Sequence, residues 1–109
     1  MTASLPIVCE PRLDLAAPDV GAATDVARLL ADRTRATILA MLASGPLCVC
    51  EFSHATGERE NNVSNHLAKL RAAGLVRATR HASDARFQYY ERDEEACAVA
   101  LARLAELLS

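Results

Sequence analysis

Between residues 25 and 43 the apolar side chains Val26, Leu29, Leu30, Ile38, Leu39 and Leu42 recur at spacings of three and four. That period predicts helix. Thr24 or Asp25 is placed to cap its start, and Ser44-Gly45-Pro46 ends it. The polar run Asp32-Arg33-Thr34-Arg35 interrupts the apolar face, which predicts two helices or a bend near Asp32. Leu47, Val49, Phe52 and Ala55 mark a short helix over 47–56, closed by Gly57. After the polar link Glu58-Arg59-Glu60, Asn61 or Asn62 caps another helix that runs to about Ala73 and stops at Gly74. Its apolar stripe is Val63, Leu67 and Leu70. Its other faces carry Asn62, Ser64, Asn65, His66, Lys69 and Arg71.

From Leu75 onward the pattern changes to strand. Residues 75–80 and 86–90 read as two strands around a turn at 81–85. Residues 93–108 return to helix, with Asp93, Glu94 and Glu95 in the first turn, where negative charge suits the helix dipole. Val99, Leu101, Ala102, Leu104, Ala105 and Leu108 give that helix a broad apolar face. Residues 1–20 hold Pro6, Pro11 and Pro18 and read as an irregular arm, carrying Cys9, ahead of a single domain at 21–109.

A short helix, a turn, a helix with a polar face and then a hairpin make a winged helix-turn-helix: mainly α, with a two-stranded wing. The last helix is more apolar than a small monomer can bury, so a homodimer through the terminal helices is expected. Composition agrees, since 51% hydrophobic residues with only 4% aromatics suit helices packed through small and aliphatic side chains. The net charge of -2 argues against a nucleic-acid partner until its distribution is considered. Residues 53–92 hold seven Lys/Arg against four Asp/Glu, and the acidic residues gather in the flanks. A basic centre of this kind suits phosphate contact.

No apolar run approaches the ~18–20 residues that span a bilayer, and no secretory leader pattern opens the chain. The expected location is the cytoplasm, where four cysteines are reduced thiols or ligands rather than disulfides. No glycine-rich phosphate loop or Ser/His/Asp arrangement is present, which points away from an enzyme.

Candidate chemistry centres on Cys48 and Cys50, directly after the Gly45-Pro46 stop. Thiolates select soft ions such as Cd(II), Pb(II), As(III) or Zn(II) and reject Mg(II) and Ca(II). On an ideal helix the two thiols stand about 200° apart. One ion holds both only if the first turn is extended or distorted. Cys9 reads as a stray thiol of the arm or a third sulfur; Cys97 reads as a small apolar residue or a further ligand, and His54 as an exposed histidine or a ligand. On the DNA side Asn62, Ser64, Asn65 and His66 are the candidates for base edges, with Lys69, Arg71, Arg77, Arg80 and Arg86 for phosphates. A two-fold dimer predicts an inverted-repeat operator in double-stranded DNA.

These residues resemble the ArsR/SmtB family of metal-responsive repressors. Leu47-Cys48-Val49-Cys50-Glu51-Phe52 resembles the family's ELCVCDL box, and residues 62–71 resemble its recognition helix with a Ser-x-His-Leu core. Residues 31–39 resemble its ALADPTRLRIL segment, with Arg33 where proline is common. Ala73-Gly74-Leu75-Val76 resembles the turn into the wing. The resemblance implies a winged-helix homodimer that binds its operator metal-free and releases it when a toxic metal binds. In the cadmium- and lead-responsive members the box thiols are joined by arm cysteines of the other subunit, which Cys9 matches in kind. One arsenic-responsive type has a third cysteine where this chain has Ser53. The terminal-helix zinc site of some relatives is expected to be absent, because Asp93, Glu95 and Glu106 come without a histidine. Two alternatives remain beside this reading. One is a thiol redox-sensing repressor of the same fold. The other is a zinc-stabilised interaction module that does not bind DNA.

Overall fold

The computed structural model describes residues 18–81 and 84–109, with the side chains of residues 80–87 excepted. Helix α1 spans Val20–Leu30 and α2 spans Arg33–Met41. A 3-10 turn over Leu42–Ser44 leads to strand β1, Leu47–Cys48. Helices α3 (Val49–Thr56) and α4 (Glu60–Ala72) follow. Strands β2 (Val76–His81) and β3 (Asp84–Arg92) form the wing, and α5 covers Glu94–Leu108.

The break at Asp32 separates two helices. Asp32 is extended (ψ 126°), and its Oδ1 accepts from Thr34 N at 2.9 Å and Arg35 N at 3.1 Å, so it caps α2. Helix α1 starts earlier than Asp25: Asp19 is its cap, accepting from Ala22 N at 2.9 Å. Thr24 instead bonds back to Val20 O within the helix. Arg59, not an asparagine, precedes the first residue of α4 in extended conformation, so Asn61 and Asn62 lie inside the helix.

The helix-turn-helix pair α3–α4 turns on Gly57, whose φ of 76° lies in the left-handed region that L side chains disfavour. Helix α4 ends in a Schellman arrangement. Gly74 (φ 83°) sits past the cap, and Leu75 N donates to Leu70 O at 3.1 Å. Buried Leu75 then starts the wing from the core.

The core is built from Ile38, Leu42, Phe52, Val63, Leu67, Leu70, Leu75, Val76 and Ala100. The stripe Val63, Leu67 and Leu70 on α4 is fully buried, as its spacing predicts. The expected two-stranded wing, β2 and β3, is joined by β1 to make a three-stranded sheet in the order β1-β3-β2, antiparallel throughout. β1 pairs Leu47 with Tyr90 and Cys48 with Tyr89. The second wing strand is longer than 86–90 because the paired ladder reaches from Asp84 to Arg92. Helices α1 and α5 pack together at the edge of the core and leave Leu101 67% and Leu108 88% exposed. No helix among the described residues is long and apolar enough to cross a membrane.

Candidate thiol metal centre and nucleic-acid interface

The expected helix over 47–56 begins two residues late, and that shift decides the geometry of the thiols. Leu47 and Cys48 pair with β3, so Cys48 is extended (φ -98°, ψ 166°) and serves as the cap of α3. Cys50 is already helical. The 200° separation therefore does not apply, and Cys48 Sγ lies 2.9 Å from Cys50 Sγ. The thiols converge where an ideal helix would hold them apart. Glu51 fixes this turn by reaching back to accept from Cys48 N at 2.9 Å, as in a capping box.

The two sulfurs differ in environment. Cys48 is buried and Cys50 is exposed. Burial, and then the contact with Cys50, pushes the Cys48 thiol up to about 11. At neutral pH it keeps its proton, and an incoming ion must displace it. Two sulfurs on one tetrahedral ion, each bonded at ~2.3 Å, sit ~3.8 Å apart. The pair thus needs to open by roughly an ångström to share an ion.

Among the described residues no group of three Cys, His, Asp or Glu side chains is assembled for a metal. Cys9 lies outside the described residues. His54 is exposed on α3, one helical turn beyond Cys50. Cys97 is on α5, packed against the core, with Sγ 3.7 Å from Leu75 O. Burial raises its thiol pKa as well, which favours the packed, protonated role. Asp93 is occupied as the cap of α5, accepting from Ala96 N at 2.9 Å, and pairs with Arg77.

On α4, Asn61, Asn62, Ser64, Asn65, Lys69 and Arg71 face solvent. Asn62 Nδ2 donates to Glu58 Oε1 at 2.8 Å. His66 does not share this face. Its side chain is 18% exposed and turns toward α2, with Nδ1 3.2 Å from Arg35 Nη1. Arg77, its side chain 58% exposed, lies 3.3 Å from Glu91 and 3.5 Å from Asp93. The side chains of Arg80 and Arg86 lie outside the described residues.

Two features escaped the sequence reading. One is the Asp32–Arg35–His66 cluster, whose trace in the sequence is the polar run that interrupts the apolar face at 32–35. The other is the pairing of Cys48 with the wing. A two-residue strand has no periodicity from which to read it.

The family model described as "Bacterial regulatory protein, arsR family" matches residues 32–78. An arsenic resistance transcriptional regulator of Pseudomonas putida is 46% identical over 52 residues, covering 47% of this chain and 41% of that protein. The HTH-type transcriptional regulator KmtR of Mycobacterium tuberculosis is 46% identical over 56 residues, covering 51% of this chain and 43% of that protein. The chain thus spans less than half the length of these two relatives. Among solved structures, a possible transcriptional regulator for arsenical resistance superposes with a TM-score of 0.63 at 31% identity, covering 77% of this chain and 80% of that one. Reduced HlyU from Vibrio cholerae gives 0.64 at 28% identity, covering 77% and 86%. With the winged helix, the recognition-type helix and the Cys-x-Cys turn in place, the matches agree: this chain belongs to the ArsR family of bacterial regulators.

Proposed function

We propose that this chain is a transcriptional repressor that binds operator DNA when metal-free and releases it when a thiophilic metal or metalloid occupies Cys48 and Cys50. The observation that carries this reading is the position of the thiol pair. One sulfur is on β1, which pairs with wing strand β3, and the other is on α3, which packs against α4. The pair therefore joins a strand that pairs with the wing to a helix that packs against α4, the two elements proposed to face DNA. Opening the sulfurs from 2.9 Å toward a shared ion moves the strand against the helix. A shift of this size at a packed junction is enough to misplace a reading helix.

The remaining assignments extend that reading. Cys9 completes a three-sulfur set, reaching the pair from the other subunit of a homodimer. Three thiolates suit As(III) and Pb(II), and Cd(II) with one further ligand; Zn(II) is the harder competitor. The relatives named for arsenic resistance favour As(III) as the first ion to test. Asn62, Ser64 and Asn65 meet base edges, while Lys69, Arg71, Arg80 and Arg86 meet phosphates. The dimer forms through α1 and α5, which leave Val20, Val99, Leu101 and Leu108 exposed in the single chain. Its two-fold axis implies an inverted-repeat operator.

The closeness of the thiols supports one second reading, in which an oxidant such as peroxide takes two electrons from Cys48 and Cys50, both protons leave, and a sulfur–sulfur bond forms. A bridge across two residues is strained, which ranks it second. Operator binding followed by fluorescence anisotropy under reducing conditions separates the two. The metal reading expects As(III), Pb(II) or Cd(II) to lower affinity at least tenfold and Cys48→Ser to abolish the response. Loss of binding with peroxide alone, and with no ion, overturns it.

A further inference from the structure

Three side chains outside the thiol centre join α1, α2 and α4. Asp32 caps α2 through Thr34 N and Arg35 N. Arg35 Nε donates to Leu29 O, near the end of α1, at 2.7 Å, and its Nη1 lies 3.2 Å from His66 Nδ1. His66 Nε2 lies 4.0 Å from Asp32 Oδ1, and Arg35 Nη1 lies 4.0 Å from Asp32 Oδ2. The side chains of Arg35 and His66 are 12% and 18% exposed, so the contact is largely shielded from water.

The chemistry fixes the roles. A guanidinium carries only donors. In this contact His66 Nδ1 is the acceptor, which leaves Nε2, the nitrogen that faces Asp32, to carry the ring proton. Arg35 is held in turn by the Leu29 carbonyl, so the acceptor on α4 meets a donor whose position is set by α1 and α2. His66 borders the buried stripe of Val63, Leu67 and Leu70. That stripe fixes the depth of α4 but resists rotation only through nondirectional packing. A charge-assisted hydrogen bond at its border adds direction.

We infer that Arg35 and His66 are a positioning pair for operator recognition: they set the rotation of α4 about its axis, and His66 orients the reading face rather than reading bases itself. This inference rests on the proposed DNA-binding function. It assigns a DNA-binding effect to Arg35, a residue of α2 that is not on the reading helix.

Nitrogen-detected NMR of the His66 ring in the DNA-free chain tests the contact itself and is expected to show the Nε2-protonated tautomer. Anisotropy with an operator duplex and an unrelated duplex tests the role. His66→Phe keeps a ring without an acceptor, His66→Asn returns an acceptor near Nδ1, and Arg35→Met removes the donor. His66→Phe and Arg35→Met should each weaken operator binding about tenfold and leave binding to unrelated DNA within about twofold. The double variant should be no more than about threefold weaker than the worse single one, because both changes break one contact. His66→Asn should recover to within about threefold of the parent.

Additive losses, an Nδ1-protonated ring, or a His66→Phe defect confined to one operator base pair would overturn the inference. If Arg35→Met does not fold, the His66 variants and the ring tautomer still decide it. A parent chain that binds no operator duplex would overturn the proposed function and the positioning role with it. The tautomer would then report separately on whether the Arg35–His66 contact exists.

Discussion

The thiol at Cys48 makes the sharpest quantitative prediction. Burial and the neighbouring Cys50 push it up to about 11, and a metal bound there needs the thiolate. At pH 7 the ion competes with a proton held about four units below its midpoint, a cost of roughly 5 kcal/mol. Affinity through this one ligand should therefore rise about tenfold per pH unit, or about 100-fold from pH 7 to 9. An unperturbed thiol with the reference value of 9.0 would level off near pH 9. Cys48 should keep its slope beyond that, up to about pH 10.5. The assay is Cd(II) affinity by competition with a chelator of known pH dependence. Titration calorimetry in two buffers of different ionisation heat counts the protons released. A curve that flattens at pH 9, or that is unchanged by Cys48→Ser, would refute the assignment of Cys48 as a buried protonated ligand. Linkage gives the companion effect without metal. A raised pKa means that the folded chain holds this proton more tightly. Its stabilising contribution is full below about pH 9 and is lost as pH rises through about 11.

Phe52 on α3 is fully buried in the core that includes Val63, Leu67 and Leu70 of α4, so Phe52→Ala should cost about 3–5 kcal/mol in urea unfolding; a loss below about 1 kcal/mol would deny it that place in the core. Leu101→Asp puts a charge on the exposed face of α5 and should shift the proposed dimer to monomer in sedimentation equilibrium at unchanged helix content; an intact dimer would place the interface elsewhere. Lys69→Ala on the exposed side of α4 should reduce the slope of log affinity against log salt by about 1, with similar losses on all DNA sequences. A loss restricted to one base pair would make Lys69 a base reader instead.

Helix α4 shows how far one-dimensional pattern reaches. Val63, Leu67 and Leu70 were legible as a stripe because burial follows the 3.6-residue period, and all three are buried. His66 was placed on the polar face by the same logic. The period assigns an angle to each residue, but it does not say which neighbouring helix stands at that angle. Arg35 stands there, supplied from α2 across a gap of 31 residues. The cluster of basic residues on the wing marks Arg77 as a candidate phosphate contact, but its ion-pair partners are not legible from that cluster. The strand register brings Glu91 opposite it, and the start of α5 adds Asp93. The caps were misplaced for a related reason. Asp, Asn and Thr all cap well, and only the path of the chain selects Asp19 over Thr24 or Asp25.

The sequence by itself determined the order of helices and strands, the break at Asp32, the turn at Gly57, the family and the thiols as candidate soft ligands. These follow from local periodicity, turn chemistry and side-chain type, none of which needs a long-range contact. Tertiary structure alone decided whether Cys48 and Cys50 can act together. Two thiols in one helix diverge, whereas these converge to 2.9 Å because β3 draws Cys48 out of the helix into a strand. The pairing that does this joins residues 47 and 48 to residues 90 and 89. Nothing in residues 47–52 encodes it, since the backbone hydrogen bonds that hold β1 extended are supplied by the far strand of the wing.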